Sequence, residues 1–218
     1  MNLSILIADD HTIVREGLRL LLETQPGFRV VGEAADGREA LQKALKLCPD
    51  IVLMDIAMPE FNGIDATRQI RKTCSATRVI ILSMHASREH VYRAFQAGAS
   101  AYLLKESAGR EVIQAVQAVF EGHRYLSQPL TDVLLDDISQ FHKPWEYQDP
   151  LDCLSGRERE VLQLIVEGRS SAEIADRLYL SVKTAETYRS RLMQKLGIHD
   201  IPGLVKFAIQ HGVTTIDP

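Results

Sequence analysis

Cysteine is scarce in this 218-residue chain: Cys48, Cys74 and Cys153 are an odd number and form no C-x-x-C pair. That usage excludes a disulfide framework, offers no zinc-binding spacing and suits a reducing compartment. No apolar run approaches the roughly 18 residues that a membrane helix needs. The opening Met1-Asn2-Leu3-Ser4 starts a strand pattern instead of a basic leader. The expectation is a soluble, cytoplasmic protein without membrane contact. Neither G-x-G-x-x-G nor a Walker loop occurs, so a nucleotide is a poor candidate ligand. Low-complexity tracts and short-period repeats are missing too. An overall basic charge is also lacking, with 25 Lys and Arg against 29 Asp and Glu and a formal net charge of −4. This argues against a protein that coats nucleic acid over its whole surface. The deficit is uneven, however. From Leu151 onward nine basic residues balance nine acidic ones, so the excess acid lies in residues 1–150.

What is present suits two globular domains of ordinary size. Short runs apolar on both faces recur at Ile5-Leu6-Ile7-Ala8, Val30-Val31, Ile51-Val52-Leu53-Met54, Val79-Ile80-Ile81-Leu82 and Ala101-Tyr102-Leu103-Leu104. Strands inside a parallel sheet require this pattern. Between them lie stretches with helical spacing, such as Val14-Leu18-Leu21-Leu22 and Val112-Ala115-Val116-Val119. Five β-α units in succession predict a doubly wound α/β domain over residues 1–122. Gly27, Gly63, Gly98 and Gly122 fall near helix ends, where a left-handed residue is often needed. Residues 123–150 are polar and proline-punctuated and read as a linker with one short helix over 131–141. Residues 151–218 are purely helical in pattern. Ser155-Gly-Arg-Glu158 and Ser170-Ser-Ala-Glu173 fit the capping box. Ser181 precedes a third helix that Gly197 ends, and Asp200-Ile201-Pro202 opens a fourth. Four short helices make a small all-α domain.

Ligands of a parallel α/β sheet gather at the carboxyl ends of its strands. Asp9 and Asp10 follow strand one, Asp55 strand three, Ser83 ends strand four and Lys105 follows strand five. Any one of these alone reads as a solvated loop residue. Together they make an oxygen-rich rim that suits Mg²⁺ and can turn one carboxylate into a nucleophile toward a phosphoryl group. Lys105 supplies a point charge and Ser83 a hydroxyl donor for phosphoryl oxygens.

Asp9-Asp10, Met54-Asp55-Ile-Ala-Met-Pro59, Leu82-Ser83 and Gly98-Ala-Ser-Ala-Tyr102-Leu-Leu-Lys105 together resemble the signature blocks of two-component receiver domains. The resemblance covers roughly residues 3–120 and implies a flavodoxin-like (βα)5 fold. It makes Asp55 the phosphoacceptor, with Mg²⁺ held by Asp10 and Asp55, by Asp9 through water and by the backbone carbonyl of Ala57. It also matches Tyr102 to an aromatic that swings inward when the Ser/Thr engages the phosphoryl group. By position alone, Tyr102 is equally an ordinary strand aromatic. His85, two residues beyond Ser83, reads as solvent-facing.

The block from Leu154 through Ser181-Val-Lys-Thr-Ala-Glu-Thr-Tyr188 to Ile198 resembles the LuxR-type helix-turn-helix, with the motif at about 171–190. With the receiver, the whole chain is similar to NarL/FixJ-family response regulators. A helix over 171–178, a turn at 179–181 and a second helix fit that plan independently. In the second helix Lys183, Arg189, Arg191 and Lys195 outweigh Glu186, concentrating charge where phosphates would lie. The family pattern assigns Lys183 and Thr184 to backbone positioning and Glu186, Thr187 and Ser190 to base edges. Arg189 and Arg191 would serve phosphate or guanine, and Lys195 is counted among the DNA-binding residues. Ala185 departs from the usual Val, Tyr188 from a frequent His, and Glu186 from a frequent basic residue.

The resemblance implies a sensor histidine kinase, double-stranded DNA and RNA polymerase as partners, a homodimer favoured by phosphorylation, and no catalysis beyond the receiver's own phosphorylation and dephosphorylation. The rival, a Mg²⁺-dependent phosphatase-like enzyme, calls for a carboxylate two residues after Asp55, where the chain has Ala57. A ligand-gated LuxR-type regulator is a second rival, and phosphorylation-independent DNA binding a third.

Overall fold

The computed structural model describes residues 2–131 and 149–214. The buried apolar runs become β1 (Leu3–Ala8), β2 (Phe28–Ala34), β3 (Ile51–Asp55), β4 (Arg78–Ser83) and β5 (Ala101–Leu104) of one sheet. All its pairings are parallel, in the order β2-β1-β3-β4-β5-β6, where β6 is the short strand Tyr125–Leu126. Successive side chains alternate between two cores. Ile51 and Leu53 face one layer with Leu22 of α1 (Thr12–Glu23) and Val112 and Val116 of α5 (Lys105–Phe120). Val52 and Met54 face the other, with α2 (Gly37–Leu47), α3 (Gly63–Thr73) and α4 (Arg88–Gln96). Covering both faces buries β3 and β5 throughout, and the doubly wound expectation holds.

Two details differ from the sequence expectation. A sixth strand, β6 (Tyr125–Leu126), pairs with β5 inside the stretch read as linker. Residues 128–131 are already helical, and the rest of the expected linker helix lies outside the described residues. Gly27, Gly98 and Gly122 do have positive φ, but Gly63 opens α3 instead of ending a helix. A Cβ at Gly63 would lie 1.8 Å from the Asp55 carbonyl oxygen, so glycine lets α3 start against the end of β3.

The second domain starts with a 3-10 turn (Pro150–Cys153), followed by α6 (Gly156–Val166), α7 (Ser171–Arg177), α8 (Val182–Leu196) and α9 (Ile201–Gln210). Both expected capping boxes form, at Ser155/Glu158 and Ser170/Glu173. Gly197 ends α8 at φ 65°, and Asp200 caps α9 with Pro202 in its first turn. Val161, Leu162, Ile174, Ala185, Leu192 and Leu204 are among the side chains that build its core.

Candidate functional site

The register of the sheet creates the acidic rim. Ala8 pairs with Met54, Asp55 with Leu82 and Ser83 with Leu104, so the carboxyl ends of β1, β3, β4 and β5 finish side by side. The rim straddles β1 and β3, where the strand order reverses. Lys105 Nζ reaches across it, 2.8 Å from Asp9 Oδ2 and 2.7 Å from Asp55 Oδ2. Asp9 is 0% and Asp55 2% exposed. Burial pushes the Asp55 carboxyl up to about 6; Lys105 pulls against this and Asp9 adds to it. Burial alone would lower the Lys105 pKa, but the two carboxylates more than offset it and raise it.

Asp10 is half-buried, and its Oδ1 lies 2.7 Å from His11 Nδ1. Ligand atoms of Asp9, Asp10, His11 and Asp55 all lie within 4.8 Å of one another. Asp9 Oδ2 and Asp10 Oδ1 are buried without a well-directed hydrogen bond. Three carboxylates, two of them with under-satisfied oxygens, fit a hard, oxygen-seeking divalent cation. His11 is the member the sequence reading passed over, although it directly follows the Asp pair. Ala57 donates its N–H to Asp55 Oδ1 at 3.3 Å, which places it at the rim.

Ser83 is buried, and its Oγ accepts from His85 N–H at 3.0 Å. Tyr102 is fully buried and donates its hydroxyl to the His85 carbonyl at 2.8 Å. The side chain expected to swing inward on phosphorylation thus already points in. Nor is His85 solvent-facing: it is half-buried and stacks on His90 with centroids 4.7 Å apart.

The two domains dock directly, and this interface was not legible beforehand. Arg38 meets Glu160 at 3.1 Å, Arg159 meets Asp65 at 3.3 Å, and Arg177 pairs with Glu60. Gln163, 1% exposed, bonds the loop between β3 and α3. Arg93 pairs with Asp149 at 2.9 Å and donates to the His211 carbonyl. Gly212, at φ 58°, lies so close to His90 Nε2 that a Cβ would collide with it. Burial, with His85, Arg93 and His211 nearby, pushes His90 down to about 4, so it is neutral.

The contact uses α6, the end of α7 and the turn after α9, and the outward face of α8 stays open. Lys183, Glu186, Thr187, Ser190 and Arg191 are exposed, Thr184 and Arg189 half-buried. Ser181, Lys183, Thr184, Thr187, Tyr188 and Arg191 line a groove along it. Two hydroxyls are engaged locally, Thr184 with Ser181 and Thr187 with the Lys183 carbonyl. Lys195 stands apart: its Nζ is 2.7 Å from Glu158, the capping-box acid, and so braces α8 against α6.

Comparison with known proteins agrees with this two-part layout. Residues 5–117 match the response regulator receiver domain, and residues 152–208 match the bacterial regulatory proteins of the luxR family. The oxygen regulatory protein NreC of Staphylococcus epidermidis is 37% identical over 212 residues, 95% of this chain and 97% of that protein. The response regulator UvrY of Escherichia coli is 36% identical over 211 residues, 97% of this chain and 95% of its own. Among solved structures, the complex of the response regulator RcsB with DNA superposes with a TM-score of 0.59 at 26% identity, covering 97% of this chain and 99% of that one.

Proposed function

The chain belongs to the NarL/FixJ family of two-component response regulators, which regulate transcription through a LuxR-type DNA-binding domain, and from that premise we propose that phosphorylation of Asp55 is its switch. The observation that carries this reading is Lys105 Nζ held within 2.8 Å of Asp9 and 2.7 Å of Asp55 at the rim of the sheet. In the reaction an Asp55 oxygen bonds to phosphorus, the P–N bond to a kinase imidazole breaks, and that imidazole takes up a proton. Lys105 meets the charge arriving on the phosphoryl oxygens, and Ser83 offers a hydroxyl to one of them. Mg²⁺, held by Asp10, Asp55, the Ala57 carbonyl and, through water, Asp9, would neutralise charge on the incoming group. His11 lies beside this set, with its Nδ1 2.7 Å from Asp10 Oδ1. The chain would catalyse nothing beyond gain and loss of its own phosphoryl group. Its setting would be the cytoplasm, with a sensor histidine kinase as donor.

Two copies of one small module double the DNA contact, so a homodimer favoured by phosphorylation would read paired half-sites and could present RNA polymerase with a surface. The exposed face of α8 is the reading surface, as the DNA complex of RcsB suggests by analogy. The test is intact-mass measurement after incubation with Mg²⁺ and acetyl phosphate. A stoichiometric gain of roughly 80 Da, absent from Asp55→Asn, is expected. No adduct, or one that survives in Asp55→Asn, overturns the reading.

The exposed carboxylate of Glu186 can accept from cytosine N4 but repels phosphate. Glu186→Ala is therefore expected to change the preferred base pair by about 1–3 kcal/mol of discrimination. Affinity for the best site should move by less than about tenfold. Binding-site selection with both proteins checks this; an identical motif would sink it.

A further inference from the structure

Resting on the phosphorylation reading, we propose that Gln163 is a positioning residue through which the DNA-binding domain holds the phosphoacceptor loop, so that docking and phosphorylation of Asp55 oppose each other. The loop runs from residue 56 to 62, between β3 and α3. Gln163 grips it at both ends. Its Nε2 donates to the Met58 carbonyl at 2.8 Å, and its Oε1 accepts the Asn62 N–H at 2.8 Å. Nε2 also donates to Glu167 Oε1 at 2.9 Å, and that oxygen accepts the Glu60 N–H at 2.8 Å. A primary amide alone among side chains of this length offers donors and an acceptor at once, so neither Glu nor Leu reproduces the grip.

The loop shape is not one the chain adopts freely. Glu60 stands at φ 65°, a left-handed conformation rare for residues other than glycine. Its side chain is held there by Arg177 of α7. Gln163, Glu167 and Arg177 of the DNA-binding domain thus fix the segment from Met58 to Asn62, which begins one residue after Ala57.

Phosphorylation needs that same segment to move. Asp55 is 2% exposed, so a phosphoryl group enters only if its neighbours part. Drawing the Ala57 carbonyl toward a cation turns the peptide next to the one Gln163 holds. Tyr102 cannot carry the message by moving inward, because in the docked state it is already fully buried. Nor does docking act by covering α8, whose outward face is exposed. What docking withholds is Arg177, engaged by Glu60, and the freedom of the domain to pair with a second copy.

Coupling of this kind is reciprocal in equilibrium binding. The experiment uses the full chain, Mg²⁺ with beryllofluoride as the phosphoryl analogue, and a duplex obtained by binding-site selection. Beryllofluoride should tighten DNA binding, and DNA should tighten beryllofluoride binding by the same factor, about tenfold. In Gln163→Leu, DNA should bind more tightly without the analogue, beryllofluoride more tightly without DNA, and the coupling factor should fall toward one.

Gln163→Glu, which keeps the acceptor for Asn62 and loses the donor for Met58, should shift in the same direction and covers the case of a misfolded leucine variant. Arg93→Ala breaks the Arg93–Asp149 pair on α4 and parts the domains without touching the loop, and a role for Gln163 through docking requires that adding Gln163→Leu to it change beryllofluoride affinity no further. Full coupling in both Gln163 variants, or a further gain in beryllofluoride affinity when Gln163→Leu is added to Arg93→Ala, overturns the inference alone. Failure of the chain to take beryllofluoride, together with no Asp55 adduct from acetyl phosphate, overturns the phosphorylation reading and this inference with it.

Discussion

Lys105→Met will lower the stability of the receiver domain by about 3 kcal/mol in metal-free buffer, because it breaks a buried ion pair by removing one partner. The side chains of Asp9 and Asp55 are 0% and 3% exposed, so water cannot take over the role of the lysine. The remaining escape is protonation. Asp55 already sits at about 6 in the native chain through burial, and without Lys105 its pKa must rise further. A carboxyl whose folded pKa lies above its unfolded value destabilises the fold wherever it is ionised. Relative to the native chain, the deficit of the variant should therefore be full only above the variant's own raised pKa and shrink as the pH falls from there toward 6, below which Asp55 is protonated in both chains. Mg²⁺ supplies the missing positive charge and should raise the melting temperature of Lys105→Met more than that of the native chain. The rate of Asp55 phosphorylation should fall about 100-fold with the loss of a preorganised donor. Thermal melts across pH, with and without Mg²⁺, check the first part, and timed mass spectra the second. A variant as stable as the native chain at every pH would refute the account.

The residues behind this prediction were legible because their signal is local. Asp9, Asp55, Ser83 and Lys105 each end or follow a run that is apolar on both faces, and topology brings strand ends together without any side chain having to specify it. The capping boxes were legible for the same reason, since Ser155 and Glu158 are three residues apart. The strand β6 was not. Its two residues, Tyr125 and Leu126, make too short a run to show a period, and only the open edge of β5 makes them a strand. The domain interface was hidden more deeply. Glu160, Gln163 and Arg159 occupy helical positions that read as a solvated face, yet all are buried. Their partners Arg38, Asn62 and Asp65 lie 122, 101 and 94 residues away. Polar residues give no hydrophobic period to read, and nothing near them in sequence says that a second surface will arrive. The inward Tyr102 belongs with them: its rotamer depends on His85, which in turn leans on His90 against the second domain.

Arg93→Ala is expected to undock the two domains. Arg93 is 3% exposed on α4, and its side chain and that of Asp149 are each 4% exposed in their pair. Truncating the arginine leaves a buried carboxylate without its cation, a loss of about 3–5 kcal/mol. The same change removes the donor to the His211 carbonyl, at the far end of the DNA-binding domain. Asp149 also accepts from the Leu151 N–H and opens the first turn of that domain, so it cannot simply turn away. Each domain keeps its own core, and the cost therefore falls on the contact between them. A loss of about 3 kcal/mol moves the docking equilibrium by a factor on the order of 100.

Hydrogen exchange reads this directly. The amides of Glu60 and Asn62 are protected by Glu167 and Gln163 only while the domains touch, and in Arg93→Ala they should exchange about 100-fold faster. Amides in β3 should keep their protection. Asp149→Leu alone strands the arginine and should undock the domains as well. The pair Arg93→Met with Asp149→Leu removes both charges, and replacing a buried ion pair by apolar groups is often neutral. That double variant should recover most of the docking, giving a coupling energy of the sign a double-mutant cycle assigns to a true pair. Additive losses in the cycle, or unchanged exchange at Glu60 and Asn62, would show that docking is held by α6 alone.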